Sequence, residues 1–331
     1  VGSEMCIRDS DCYCVPAMIP AQHTVETPYM VGPVHCYTLD YGDELVLIDT
    51  GPPTAAGRAF LREHLDLSRL AHVIVTHCHI DHYGQAAWLA QNSDARIYLP
   101  RLDILKHEQR DRRLSLMFSL IADLGFEKSY IDRLRKRFTK SLLLPLFPEH
   151  YLVAEDHLPP QLGIGVMGCP GHSQSDLVYT GNGWAVTGDI LLRGVFQSPL
   201  LDADLETGDR FKNYQAYCSS IVKLARLRAK TILPGHRQHV DSVDKTLLFY
   251  LNKMMQRVGH LLPYLSEHSV AEVIHNVFPT MNDPFHIYLK ASEIIFMQDF
   301  LAQPALLVSS LNEIDLYQPL ADLFDEVVEK Q

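Results

Sequence analysis

The stretch Thr76-His77-Cys78-His79-Ile80-Asp81-His82 constrains this chain more than any other. Three imidazoles and a carboxylate follow directly on His72-Val73-Ile74-Val75, which reads as a buried strand. Residues two apart in an extended or turning chain point the same way, so His77 and His79 can share one metal ion. Asp81 and His82 then offer oxygen and nitrogen ligands from the following turn, close enough for a second ion. Imidazoles and carboxylates are costly to crowd at a strand end without a cation, because such groups belong in water or with a partner. The chain must therefore fold so that this strand runs into a cleft.

The surrounding pattern supplies the strand with neighbours. Leu45-Val46-Leu47-Ile48 is a second short apolar run, closed by the turn residues Asp49-Thr50-Gly51-Pro52. Helical spacing over about 54–66 and 84–91, and a strand at Arg96–Leu99, complete an alternation that predicts an α/β layered domain. Residues 101–150 break the rhythm and read as two or more helices. Within 101–140 the surplus of Lys and Arg over Asp and Glu marks a solvated helical insertion, or else a lid with cations for an anionic substrate or an apolar face for an acyl chain. Strand character returns from 163. Asp176–Thr180 and Trp184–Thr187 form a hairpin around Gly181-Asn182-Gly183. A helix over about 213–228 leads to the strand Thr231-Ile232-Leu233. Beyond 241 the chain reads as helical, and Ser269-Val270-Ala271-Glu272 has the form of a capping box.

Three further ligand types sit directly after a glycine, where the backbone can turn sharply: Gly171-His172, Gly188-Asp189 and Gly235-His236. One Gly-His is ordinary; the recurrence after successive strands raises all three. With HCHIDH at 77–82, PGH at 170–172, GD at 188–189, PGH at 234–236 and LVLIDTG at 45–51, the chain resembles the metallo-β-lactamase superfamily over about 31–240. That resemblance implies a four-layer αββα sandwich with a dinuclear site at the edge of its two sheets. It implies His77, His79 and His172 on one metal, Asp81, His82 and His236 on the other, and Asp189 bridging them. The cofactors it implies are two divalent metal ions, zinc before manganese or iron. Residues 241–331 resemble the helical, winged-helix-like appendage of the β-lactamase-like-protein-2 group, best at His268–Pro279. The division that follows is a catalytic region at 11–240 carrying the 101–150 insertion, an appendage at 241–331, and a leader at 1–10 that reads as foreign sequence.

The expected chemistry is hydrolysis of an ester, thioester or lactone by a metal-bridging hydroxide, with Asp81 as the catalytic residue that orients the nucleophile and helps accept its proton. Two other readings stand beside it. One is a phosphodiesterase or ribonuclease, suggested by the appendage and the basic segment. The other is a persulfide dioxygenase with one iron held by two histidines and an aspartate, which the stretch Gly188–Gly194 partly resembles. A net charge of −11 disfavours nucleic acid and favours a small-molecule substrate. Seven scattered cysteines form no disulfide framework and point to a reducing cytoplasm. No basic-then-apolar segment is seen at the start, and no apolar run nears the roughly 20 residues of a membrane span. Gly163–Gly168 fits GxGxxG, but Cys169-Pro170-Gly171 forbids the helix that a dinucleotide site needs. Cys78 reads as a packed thiol. Tyr83, Ser173 and Ser175 read as structural neighbours with a capacity to donate to a substrate oxygen, and His107, His150 and His157 as ordinary histidines.

Overall fold

Alternation with a period of two decides which layer each short apolar run meets. In the computed structural model, which describes residues 18–140, 144–265 and 268–329, six strands form the first sheet. They are β1 (Ala21–Val25), β2 (Val34–Asp40), β3 (Leu45–Ile48), β4 (Leu70–Ile74), β5 (Arg96–Leu99) and β6 (Leu152–Val153), in that spatial order. The first three pair antiparallel; β3 to β6 run parallel. The second sheet has the order β10-β9-β8-β7, from β7 (Gly165–Gly168), β8 (Leu177–Gly181), β9 (Trp184–Gly188) and β10 (Thr231–Pro234). The residues 1–10, read above as foreign, lie outside the described residues.

Along β3, Val46 and Ile48 face the second sheet, whereas Leu45 and Leu47 face away from it. Tyr37, Ile74 and Tyr98 from the first sheet meet Tyr179, Trp184, Val186 and Leu233 from the second in one apolar layer. Outside the first sheet, α1 (Ala55–His64) and α2 (Ala86–Asn92) cover Leu47, Val73 and Ile97. Outside the second, α7 (Asn213–Ala225) covers Val178, Ala185 and Ile232. The result is a four-layer αββα sandwich with extra helices. Strands covered on both faces must be apolar on both, which is why these runs read as unbroken in sequence.

Most of the extra helices gather on the second sheet's side, although Ile104 joins the outer core of the first sheet and Ala154 the layer between the sheets. After β5 come α3 (Arg101–Glu108), α4 (Arg110–Asp123), α5 (Lys128–Lys140) and the single turn α6 (Ala154–His157). After β10 come α8 (Val243–Leu265), α9 (Val270–Val277), α10 (Pro284–Ala302), α11 (Pro304–Glu313) and α12 (Ala321–Glu329). Ser269 and Glu272 cap α9 reciprocally, as their spacing predicts. The segment 101–150 is not solvated all round. Met117, Phe118 and Ile121 of α4 and Leu134 of α5 enter the same core as Met254, Phe296 and Phe300 of the C-terminal helices. Gly163–Gly168 ends as strand β7 with no helix after it, as its flanking prolines require. Among the described residues no single helix is long and apolar enough to cross a membrane.

Candidate metal centre

The cleft forms where β4, β9 and β10 end side by side. His77 to His82 turn away from the end of β4, His172 lies in the loop before β8, Asp189 follows β9 and His236 follows β10. Gly188 adopts φ +51°, which lets β9 turn into Asp189. Gly235 is a matter of space: a Cβ there would lie 2.4 Å from Asp189 Oδ1 and 2.6 Å from His82 Cε1. Two of the three glycines before the isolated ligands thus serve different needs, a turn at Gly188 and close approach at Gly235.

All seven residues singled out in the sequence meet in this cleft. Their ligand atoms fall into three overlapping groups, His77–His79–His172, His77–His82–Asp189 and Asp81–His82–His236, each with all its atoms within 4.8 Å of one another. His82 Nε2 lies 3.4 Å from Asp189 Oδ1, and His236 Nε2 lies 3.6 Å from Asp189 Oδ2 and 3.4 Å from Asp81 Oδ2. His172 Nε2 stands 2.9 Å from His79 Nδ1 and 4.0 Å from Asp189 Oδ2.

The far side of each ring shows why the inner nitrogens are available. His82 Nδ1 donates to Asp49 Oδ2 (2.8 Å), His236 Nδ1 to the Pro33 carbonyl (2.7 Å) and His172 Nδ1 to the Ser198 carbonyl (2.9 Å). His77 Nδ1 faces Thr76 Oγ1 at 3.1 Å, and that hydroxyl donates onward to Asp49. Such partners fix the tautomer and leave each Nε2 free as a donor of electrons. His77 Nε2, His82 Nε2, Asp189 Oδ1 and His236 Nε2 are buried without any hydrogen-bond partner. An unpaired buried polar atom costs about 1–3 kcal/mol, and four gathered in one cleft are accounted for by bound cations. Nitrogen and carboxylate donors in these numbers suit divalent ions of the zinc type.

Electrostatics agree with that fit. Burial pushes His77 and His79 well below the ordinary imidazole range, and neighbouring imidazoles push the same way, so both are neutral. Burial also opposes charge on His82 and His236, but Asp189 outweighs it in both, helped by Asp49 at His82, and their values rise. Asp189 is held far below the carboxylate range because His236 and His82 overcome its own burial. The protons on His82 and His236 balance the carboxylates in the metal-free chain; a divalent cation would take over that task. The side chains of His82 and His236 are fully enclosed, whereas those of Asp81 (12% exposed), His172 (10%) and Asp189 (9%) reach the open side.

Several residues behind the cleft were not singled out in sequence. Asp49, fully buried at φ +60°, accepts from Thr76 N, Thr76 Oγ1 and His82 Nδ1. Its sequence signal, the turn after Leu45–Ile48, names a turn and not a brace. Asp103 of α3 accepts from Cys78 N (2.7 Å), Ser175 Oγ (2.7 Å) and Lys106 Nζ (3.1 Å), tying both ligand loops to the inserted helices. The 198–201 segment carries the brace of His172 to α10: Ser198 Oγ donates to Glu293 Oε1, and Leu201 N to Ser292 Oγ. Ser173 donates inward to Asp176 and Ser175 to Asp103, while Tyr83 packs beside Phe147. Cys78 packs against the core of the first sheet, and no metal-type group among the described residues includes His107, His150 or His157.

Residues 29–236 match the family profile described as the metallo-beta-lactamase superfamily. The chain is 27% identical over 284 residues to Probable metallo-hydrolase YqjP of Bacillus subtilis (strain 168), a match covering 81% of this chain and 88% of that protein. Its fold is similar to that of metallo-beta-lactamase family protein TTHA1429 from Thermus thermophilus, with a TM-score of 0.66 at 20% identity over 86% of this chain and 94% of the other. A beta-lactamase domain protein from Burkholderia ambifaria gives a TM-score of 0.69 at 19% identity, over 86% of each chain. These matches cover more than residues 29–236, so the likeness runs on into the C-terminal helices.

Proposed function

The chain belongs to the metallo-beta-lactamase superfamily, and from that premise we propose that it is a dinuclear, zinc-dependent hydrolase of an ester, thioester or lactone. The observation that carries the reading is the convergence of four buried, partnerless ligand atoms, His77 Nε2, His82 Nε2, Asp189 Oδ1 and His236 Nε2. In this reading His77, His79 and His172 hold one ion, Asp81, His82 and His236 the other, and Asp189 lies between them. Bound divalent ions supply Lewis acidity, lowering the pKa of water towards about 7 and polarising the bond to be cut. The protein's part is to keep each imidazole in the ligating tautomer through Asp49, Pro33 and Ser198. Asp81, on the open side with Oδ2 3.4 Å from His236 Nε2 and Oδ1 4.0 Å from His82 Nε2, would orient the attacking water and receive its proton. The substrate in this reading is a small molecule, because the chain's net charge of −11 repels polyanions.

Elemental analysis of protein purified without added metal tests the reading, followed by a screen of lactones, thioesters, carboxylic esters and phosphodiesters. About two zinc ions per chain and turnover of a carbonyl substrate is the expected result. One iron per chain with consumption of oxygen on glutathione persulfide would replace it with the dioxygenase reading. Turnover of phosphodiesters alone would replace it with the phosphodiesterase reading.

A further inference from the structure

The four imidazoles with braced far sides do not all lean on the same part of the molecule. His82 and His77 lead back to Asp49 at the end of β3, the first directly and the second through Thr76. His236 leads to the Pro33 carbonyl just before β2, so all three rest on the sandwich. His172 leads instead to the Ser198 carbonyl, in a segment outside both sheets. Leu200 N donates to the His172 carbonyl at 2.8 Å, so ligand and segment are joined twice.

The segment 197–201 is fixed in turn by the C-terminal helices. Tyr250 of α8 donates to the Gln197 carbonyl at 3.1 Å. On α10, Glu293 Oε1 accepts from Ser198 Oγ (2.9 Å), Ser292 Oγ accepts from Leu201 N (3.0 Å), and Tyr288 donates to the Leu201 carbonyl (2.5 Å). Among the described residues the segment has no hydrogen bond to a strand of either sheet. Glu293 is where these links meet. Its side chain is only 7% exposed, and it also receives Arg257 Nη1 of α8 on Oε1 (2.7 Å) and Lys290 Nζ on Oε2 (2.5 Å). Well-packed apolar residues join two helices about as firmly as a buried ion pair does, so helix packing alone does not call for a carboxylate here. The bond to Ser198 gives it a use.

We propose that Glu293 is a positioning residue for His172, acting through Ser198, and that α8 and α10 thereby set how tightly the ion of the His77–His79–His172 group is held, while Asp49 and Pro33 set the other. The inference rests on the dinuclear reading and divides the two ions between the appended helices and the sandwich. The physical link is short. Ser198 Oγ and the Ser198 carbonyl belong to one residue, so the bond to Glu293 limits the rotations that would turn the carbonyl away from His172 Nδ1. A carboxylate holds a hydroxyl more strongly than a neutral acceptor does. With the carbonyl in place, the Nδ1 hydrogen stays on the far side of the ring and Nε2 faces the cleft as a ligand. Once released, the carbonyl can turn to water, and the ring is free to rotate or to change tautomer.

The test measures the zinc affinities of the full chain by competition against a chromophoric chelator, with a thermal melt to confirm folding. Ser198→Ala removes the donor, and Glu293→Met removes the acceptor at similar side-chain length. Each is expected to weaken one of the two zinc ions by about tenfold or more and to leave the other within about threefold. The same replacements are then made in a His172→Ala chain, where the ion that remains is that of Asp81, His82 and His236. There neither is expected to change zinc affinity by more than about threefold, whereas a general loosening of the fold would weaken this ion too. If Glu293→Met does not fold, Ser198→Ala decides the matter by itself. Wild-type affinity for both ions in folded Ser198→Ala overturns the positioning role, as does an equal loss at both ions or a loss that persists without His172; each of these leaves the dinuclear reading standing. A wild type that holds fewer than two zinc ions overturns the dinuclear reading and the inference with it.

Discussion

Replacing Asp49 by Asn separates positioning of a metal ligand from ligation. Asp49 Oδ1 accepts from Thr76 N at 2.8 Å, and Oδ2 from Thr76 Oγ1 at 2.9 Å and His82 Nδ1 at 2.8 Å. Asn has the same size and tolerates the φ of +60° found here, so the backbone keeps its path. One of the two oxygen positions must nevertheless become an NH2. Placed at Oδ1 it would face the Thr76 N–H, a donor that cannot change. Placed at Oδ2 it faces His82, which can answer by giving up its Nδ1 proton and keeping the one on Nε2. The second arrangement is the lower in energy, and it points a hydrogen into the cleft where the ion would bind. The lost bond to a charged acceptor is worth about 1.5–3 kcal/mol. That corresponds to roughly 10–100-fold weaker binding of the ion held by Asp81, His82 and His236. The ion of the His77–His79–His172 group should change by less than about threefold, since Asp49 reaches that group only through Thr76. Competition for zinc against a chromophoric chelator measures both affinities, and a thermal melt checks that the variant is folded. Wild-type affinity for both ions would refute the tautomer argument.

Asp189→Ala should leave the chain folded, lower metal content and reduce activity by at least about a hundredfold; full activity in a folded variant would remove Asp189 from its place between the ions. In the metal-free chain the raised imidazoles of His82 and His236 contribute stability that is complete below about pH 6.5 and is lost as pH rises through their folded values. The depressed Asp189 contributes stability present above about pH 4 and lost as pH falls through its folded value. The depressed imidazoles of His77 and His79 act in the opposite sense, their stability present above about pH 6.5 and lost as pH falls through their folded values. Melting temperature in EDTA should therefore peak near about pH 6.5 and fall on either side, and zinc should move the peak upward by replacing the protons; identical pH profiles with and without zinc would contradict this. Leu134→Ala in α5 should cost about 2–5 kcal/mol in urea unfolding, because Leu134 is wholly buried in the core shared with the C-terminal helices. A loss under about 0.5 kcal/mol would mean that α5 folds as a separate unit.

Much of the architecture was legible because it rests on local rules. The runs Leu45–Ile48 and Arg96–Leu99, the hairpin around Gly181–Gly183 and the capping box at Ser269 depend on alternation, turn chemistry and spacing, all of which involve neighbours in the chain. The strands β1 and β2 carried no such signal. Polar His23, His35 and Thr38 interrupt them, and those side chains are satisfied by partners elsewhere in the fold, such as His35 by the Arg237 carbonyl. The helical character of 101–150 was visible, but its core face was not, since only packing against α10 reveals which apolar residues are covered.

The sequence by itself pointed to the family and the layered fold through the resemblance of its motifs, and to the seven residues that meet in the cleft because histidine and aspartate crowded at strand ends have little use there besides holding a cation. Tertiary structure alone decided what orients them. Asp49 and His82 are 33 residues apart, Asp103 and Ser175 are 72 apart, and Ser198 and Glu293 are 95 apart. No periodicity links positions at such distances. The direction of a buried hydrogen bond depends on where two segments of chain come to lie, and the four partnerless ligand atoms of the cleft became visible only once the chain around them was in place.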